Sequence, residues 1–84
     1  MREISIPEHY EVRFHNGHFD LGEHEEAHIG FYEEPMQTIS GEPPQGQVPH
    51  GYHWISIPGH FDQHGNHDHF EPAHWAVHEH HHGH

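Results

Sequence analysis

The sequence predicts a small all-β protein. It reads as a duplicated β-hairpin domain, two hairpins packing their aromatic faces, with a long proline- and glycine-rich connection and a disordered histidine-rich C-terminal tail. Three observations carry that prediction. Seven prolines and nine glycines in 84 residues interrupt any apolar period of 3.6, which argues against helix throughout. The segments between them alternate polar and apolar residues, the pattern of half-buried strands. The chain also repeats itself at an offset of 51 residues.

The repeat is read directly. Ile4-Ser5-Ile6-Pro7 recurs as Ile55-Ser56-Ile57-Pro58, His9-Tyr10-Glu11 meets His60-Phe61-Asp62, and His18-Phe19-Asp20 meets His69-Phe70-Glu71. Seven identities fall in one ungapped register, and a histidine–aromatic–acid unit occurs four times. Residues 1–30 form the first hairpin repeat, 31–50 a linker or long loop, 51–76 the second hairpin repeat and 77–84 the tail.

In chain order, Ile4 and Ile6 alternate and extend an outer strand, and Pro7 suits a strand edge or bend because it cannot donate to a ladder. Asn16-Gly17 is the strongest short hairpin signal and pairs His15 with His18, Phe14 with Phe19, Arg13 with Asp20 and Val12 with Leu21. One face is then Tyr10, Val12, Phe14, Phe19 and Leu21, and the other is rich in histidine and acid, a segregation that a one-residue slip would destroy. Residues 28–32 and 52–54 read as short strands. In the second repeat a turn at Gly65-Asn66 pairs His64 with His67, Asp62 with His69 and His60 with Glu71, while Phe61 meets Phe70 on the opposite face. A lone hairpin is barely stable in water. Two hairpins burying their aromatic faces together with Trp54 and Trp75 make a minimal core.

The composition narrows function. Fourteen acidic residues face two arginines and no lysine, for a net charge of −12, so nothing neutralises phosphates and nucleic-acid binding is excluded. Seventeen histidines carry that charge to as much as +5 on full protonation. Only 30% of the chain is apolar and cysteine is absent, so a staple other than a disulfide is expected, either metal or oligomerisation. No apolar run is long enough to insert in a membrane as a helix.

The stretch from Trp54-Ile55-Ser56-Ile57-Pro58-Gly59-His60-Phe61-Asp62 through Gly65 to Phe70-Glu71-Pro72-Ala73-His74-Trp75, with Pro43-Pro44 before Gly51-Tyr52-His53-Trp54, resembles the YXWGXW repeat family of bacterial envelope proteins. The likeness covers about residues 43–75, and 4–24 more weakly. It departs at Phe61, where the family has Trp, at Ala73, where it has Gly, and in the abundance of histidine. The resemblance implies a β-hairpin repeat and a periplasmic or extracellular location after processing. A sequence complete as given would be cytoplasmic.

Imidazole with carboxylate suits divalent zinc, nickel and copper. The candidate ligands in the second repeat are His64, His67 and His69, with His60, Asp62, Glu71 or His74 completing the set. His15 and His18 form the counterpart in the first repeat, with His9 and His24 at its far end. The tail, through His78, His80 and His82, adds a low-selectivity capture arm. It lacks an uninterrupted run of six histidines and contains Glu79 and Gly83, which favours a native segment over a purification tag. For any single histidine a solvated surface role is the commoner one, but seventeen in 84 residues is far above ordinary usage. Ser5, Ser40 and Ser56 lack a triad pattern, and the chain is expected to be no enzyme. The sequence thus points to binding of a divalent transition metal for buffering, storage or transfer. The alternative is a structural β-repeat subunit that self-assembles through strand edges into an oligomer, sheath or filament, with pH- or metal-dependent association. A metal-free pH sensor is a third reading.

Overall fold

The computed structural model describes residues 1–16, 18–46, 48–64 and 66–79, with the backbone alone for His64. Among the described residues eight strands run in order: β1 (Arg2–Ile6), β2 (His9–His15), β3 (His18–Glu25), β4 (His28–Tyr32), β5 (Tyr52–Ile57), β6 (His60–His64), β7 (His67–Glu71) and β8 (His74–Glu79). They form two antiparallel four-stranded sheets, β1-β4-β6-β7 and β3-β2-β8-β5. Among the described residues no helix is long and apolar enough to cross a membrane.

Both hairpins take the expected registers. His15 pairs with His18, Phe14 with Phe19, Arg13 with Asp20 and Val12 with Leu21, and Asn16 adopts the positive φ of 49° that an Asn-Gly turn demands. In β6–β7, His64 pairs with His67, Asp62 with His69, Phe61 with Phe70 and His60 with Glu71.

The two repeats are interleaved rather than placed side by side. Counting β1–β4 as the first repeat and β5–β8 as the second, each sheet joins a pair of strands from one repeat to a pair from the other. Exchanging the repeats turns the order β1-β4-β6-β7 into β5-β8-β2-β3, which is the other sheet read backwards. The fold therefore has a pseudo-twofold relation. Its seams are the cross-repeat pairs β2–β8 and β4–β6, and each is registered by a single residue pair, Tyr10 with Val77 and Phe31 with Phe61.

This interleaving decides where the core sits. The hairpins fall in different sheets, and the fully buried centre is not formed by their aromatic faces as expected from sequence. That centre is Ile6, Ile57 and Ala76, all 0% exposed, with Ile4 and Ile55 packed around it, while Val77, also 0% exposed, lies on the opposite face of β8. Ile6 and Ile57 are equivalent positions of the two repeats and close the gap between the sheets. The aromatics are peripheral: Phe14 is 69% exposed, Phe19 touches Trp54 edge-on at 5.3 Å, and Phe61 meets Phe70 at 4.9 Å. So small a core gains little from burial, on the order of 1.5–3 kcal/mol for each fully buried Ile or Val.

The C-terminal segment also differs from expectation. Residues 77–79, assigned to the tail on composition, complete β8, an inner strand whose Trp75, Ala76 and Val77 pair with β5. The alternation of Trp75, Val77 and Glu79 against Ala76 and His78 was masked in the sequence by the adjoining histidines. His80 and His82 lie outside the described residues. The connection over residues 33–51 is pinned to the sheets: the Gly59 N–H donates to the Gln37 carbonyl at 2.8 Å, and the Gly46 backbone lies against the Phe19 ring.

Candidate metal centres

Among the described residues four histidines share one local construction. His9, His28, His60 and His74 each open a strand, immediately after a two-residue bend. In each, Nδ1 lies 2.7–2.8 Å from the backbone carbonyl two residues earlier: Pro7, Glu26, Pro58 and Pro72 respectively. Three of these carbonyls belong to proline, which breaks the ladder and frees its oxygen for the side chain. A carbonyl only accepts, so Nδ1 carries the proton and donates. That fixes each ring and turns Nε2 away from the backbone, the orientation seen in metal-ligating histidines.

The Nε2 atoms converge on two carboxylates. On the β2–β8 seam, His9 Nε2 lies 2.8 Å from Glu11 Oε2 and His74 Nε2 lies 3.1 Å from Glu11 Oε1. On the β4–β6 seam, Asp62 Oδ1 lies 2.9 Å from His28 Nε2 and 3.3 Å from His60 Nε2. Within each triad the ligand atoms all lie within 4.8 Å of one another. Two donors bound at 2.0–2.2 Å to one ion, at tetrahedral to octahedral angles, stand ~2.9–3.5 Å apart. The four histidine–carboxylate spacings, 2.8–3.3 Å, lie within or just under that range.

The triads are pseudo-equivalent. His9 corresponds to His60 and Glu11 to Asp62 by the 51-residue offset. His28 corresponds to His74 through the segments Ala27-His28-Ile29-Gly30 and Ala73-His74-Trp75-Ala76, displaced because β2 and β3 are both longer than β6 and β7. In each case a histidine and a carboxylate two residues apart come from one repeat and the second histidine from the other. Each triad therefore bridges the seam that backbone pairing holds with one registered pair. His9 and His60 are nearly sealed, 4% and 2% exposed, while the other four side chains are partly open. All six line one cleft of about 870 Å3.

Electrostatics follow from the geometry. With Nδ1 already protonated, a neutral imidazole would present a lone pair at Nε2 to an anionic oxygen, two acceptors face to face. A cation must stand between them, either a second proton on the ring or a metal ion. Where no metal ion is bound, the proton plays that part in the β2–β8 triad. The His74 and His9 hydrogen bonds hold Glu11 at about 2, against an ordinary 4.5. Burial pulls His9 down, but its bonds to Glu11 and the Pro7 carbonyl, with the Glu11 charge, leave it raised. His74 is raised chiefly by its hydrogen bond to Glu11.

Of the candidates read from sequence, His60, Asp62 and His74 belong to triads, although His60 and Asp62 share one and His74 sits in the other. Glu11 and His28 are not among the ligands read from sequence, and His9 stands there only at the far end of the first-repeat set. The 51-residue offset applied to His60-x-Asp62 points to His9 and Glu11, and the Ala-His match points to His28. His15 and His18 face each other across the first turn with rings 6.0 Å apart and exposed. His67 and His69 are exposed on β7, His69 Nε2 lying 3.2 Å from Glu71 Oε1, and Glu71 lines the cleft. His78 donates from Nδ1 to the Glu8 carbonyl at 2.6 Å and meets the His53 ring edge-on at 5.6 Å. The His64 side chain lies outside the described residues. Comparison with known protein families, curated proteins and solved structures returned no match.

Proposed function

We propose that the chain is a metal-binding protein holding one divalent transition-metal ion in each triad, and that it serves buffering, storage or transfer rather than catalysis. The observation that carries this reading is the pair of pseudo-equivalent His/His/carboxylate sets, each with its imidazoles clamped through Nδ1 and its donors spaced for a shared ion. Imidazole and carboxylate donors suit zinc, nickel and copper in the divalent state. An ion in either triad ties the two repeats together at a thinly paired seam, so the same sites supply the staple that the small core lacks. An envelope location, suggested by the resemblance to the YXWGXW repeat family, is part of this proposal.

Isothermal titration of chelator-stripped protein with zinc or nickel tests it. Uptake that saturates and that weakens on replacing His28 or His74 supports the reading. Binding that is absent, or indifferent to both substitutions, removes it.

A second reading, self-assembly through strand edges, draws on β7. This edge strand is exposed from His67 to Phe70, and Phe70 is 41% exposed. Light scattering with and without chelator distinguishes it, since a monomer under both conditions eliminates it.

A further inference from the structure

The donors of each triad all come from one side. His9 and Glu11 stand two residues apart on β2, hence on one face of the strand, and His74 joins them from the neighbouring β8. His60 and Asp62 stand likewise on β6, beside His28 of β4. Three donors rising from two adjacent strands of one sheet occupy one hemisphere around an ion. The other hemisphere faces away from the sheet, and the space there is the cleft that all six side chains line. The Nδ1 clamps prevent the rings from turning to wrap the ion, and among the described residues no fourth histidine or carboxylate joins either triad. Zinc sites that stay closed use four protein ligands, whereas three-ligand sites keep a position for water or an incoming group.

Charge says what fills that position. A divalent ion on two neutral imidazoles and one carboxylate keeps a net charge of about +1, which favours an anion over a neutral donor. The cleft wall also carries Glu23, Glu25, Glu26 and Glu71, which repel multiply charged anions most strongly. The ligand selected is small and singly charged.

We infer that each triad-bound metal ion keeps an exchangeable coordination position facing the shared cleft, and that this position takes a small monoanionic donor such as a carboxylate. This rests on the proposed metal binding and sharpens it toward transfer. An accepting carboxylate attaches to the ion before the protein donors let go, so exchange proceeds without a bare ion.

Cobalt(II) is the probe, since its visible absorption reports its coordination. The full chain is stripped, loaded with cobalt, desalted and titrated with azide and then with acetate. Failure of cobalt to bind overturns the metal reading and the inference with it, and is seen before any anion is added. With cobalt bound, the expected result is a saturable change in the visible band, without loss of cobalt, at millimolar azide or acetate. The change per chain should fall by about half in His28→Ala and again by about half in His74→Ala, which lies in the other sheet. Cobalt spectra that stay fixed in wild-type protein up to high anion concentration show closed sites and overturn the inference while leaving metal binding intact.

Discussion

Replacing Gly30 with alanine probes one triad with the smallest possible change. Gly30 is buried on β4, two residues beyond His28. A Cβ there would stand 2.8 Å from His60 Cδ2, 3.3 Å from the Phe61 carbonyl oxygen and 3.4 Å from Asp62 Oδ1. Carbon atoms rest ~3.5–4.0 Å apart, so the His60 ring must retreat by roughly 0.7–1.2 Å. It has nowhere cheap to go, being 2% exposed with Nδ1 held by the Pro58 carbonyl. Metal sites tolerate displacements of about 0.2 Å in ligand distance, several times less. The β4–β6 triad should therefore lose its ion while the β2–β8 triad keeps its own. Apo stability should drop modestly. Overpacking costs ~1–3 kcal/mol, and replacing glycine in a strand returns ~0.5–1 kcal/mol, leaving a net loss of up to ~2.5 kcal/mol. Native mass spectrometry after reloading and desalting reads the first effect, and urea unfolding of stripped protein reads the second. Full metal retention by Gly30→Ala at wild-type affinity would refute the geometric reasoning, and so would loss of both ions.

Other outcomes follow from the same geometry. Saturating either triad at a free metal concentration of 100 times Kd adds ~2.7 kcal/mol, which in a domain of this size raises Tm by roughly 10–20 °C per site; calorimetry showing no shift with metal bound contradicts the staple. In stripped protein the Glu11 cluster stabilises over a window. The raised His9 and His74 contribute fully below their ordinary 6.5 and lose that contribution as pH rises through their folded values, while Glu11 contributes above its ordinary 4.5 and loses it as pH falls toward about 2. The cluster's contribution is thus greatest between about pH 4.5 and 6.5. Glu11→Gln should flatten that part of the stability–pH curve, and an unchanged curve would count against the assigned hydrogen bonds. Because an ion displaces the Nε2 protons, metal affinity should climb across the same window and beyond it. Replacing both His15 and His18 with alanine should leave retained metal unchanged and stability within about 0.5 kcal/mol, as expected of exposed positions.

Local structure was legible in the sequence because local signals specify it. Asn16-Gly17 and the alternation around it gave the β2–β3 register residue by residue, and the face rule gave β6–β7. The partners of those hairpins were not legible. Alternation says which face a histidine occupies, not which strand lies beside it, and both triads depend on cross-repeat neighbours: β8 beside β2, and β6 beside β4. His64, His67 and His69 drew attention because they cluster in sequence, yet they sit at the turn end of their hairpin. The triads form at the other end, where His9 and His60 start their strands and the seam brings His74 and His28 alongside. The duplication held the missing information. Each repeat supplies two-thirds of one site and one-third of the other, which an ungapped offset hides because β2 and β3 outrun β6 and β7.

The central claim is two pseudo-equivalent sites that each take ligands from both repeats. Native mass spectrometry with elemental analysis, on full-length protein stripped, reloaded with zinc and desalted, tests it most directly. Wild type should retain two ions per chain, His28→Ala and His74→Ala one each, and the double variant none. Retained metal that ignores both substitutions, or wild type that holds none, would contradict the account.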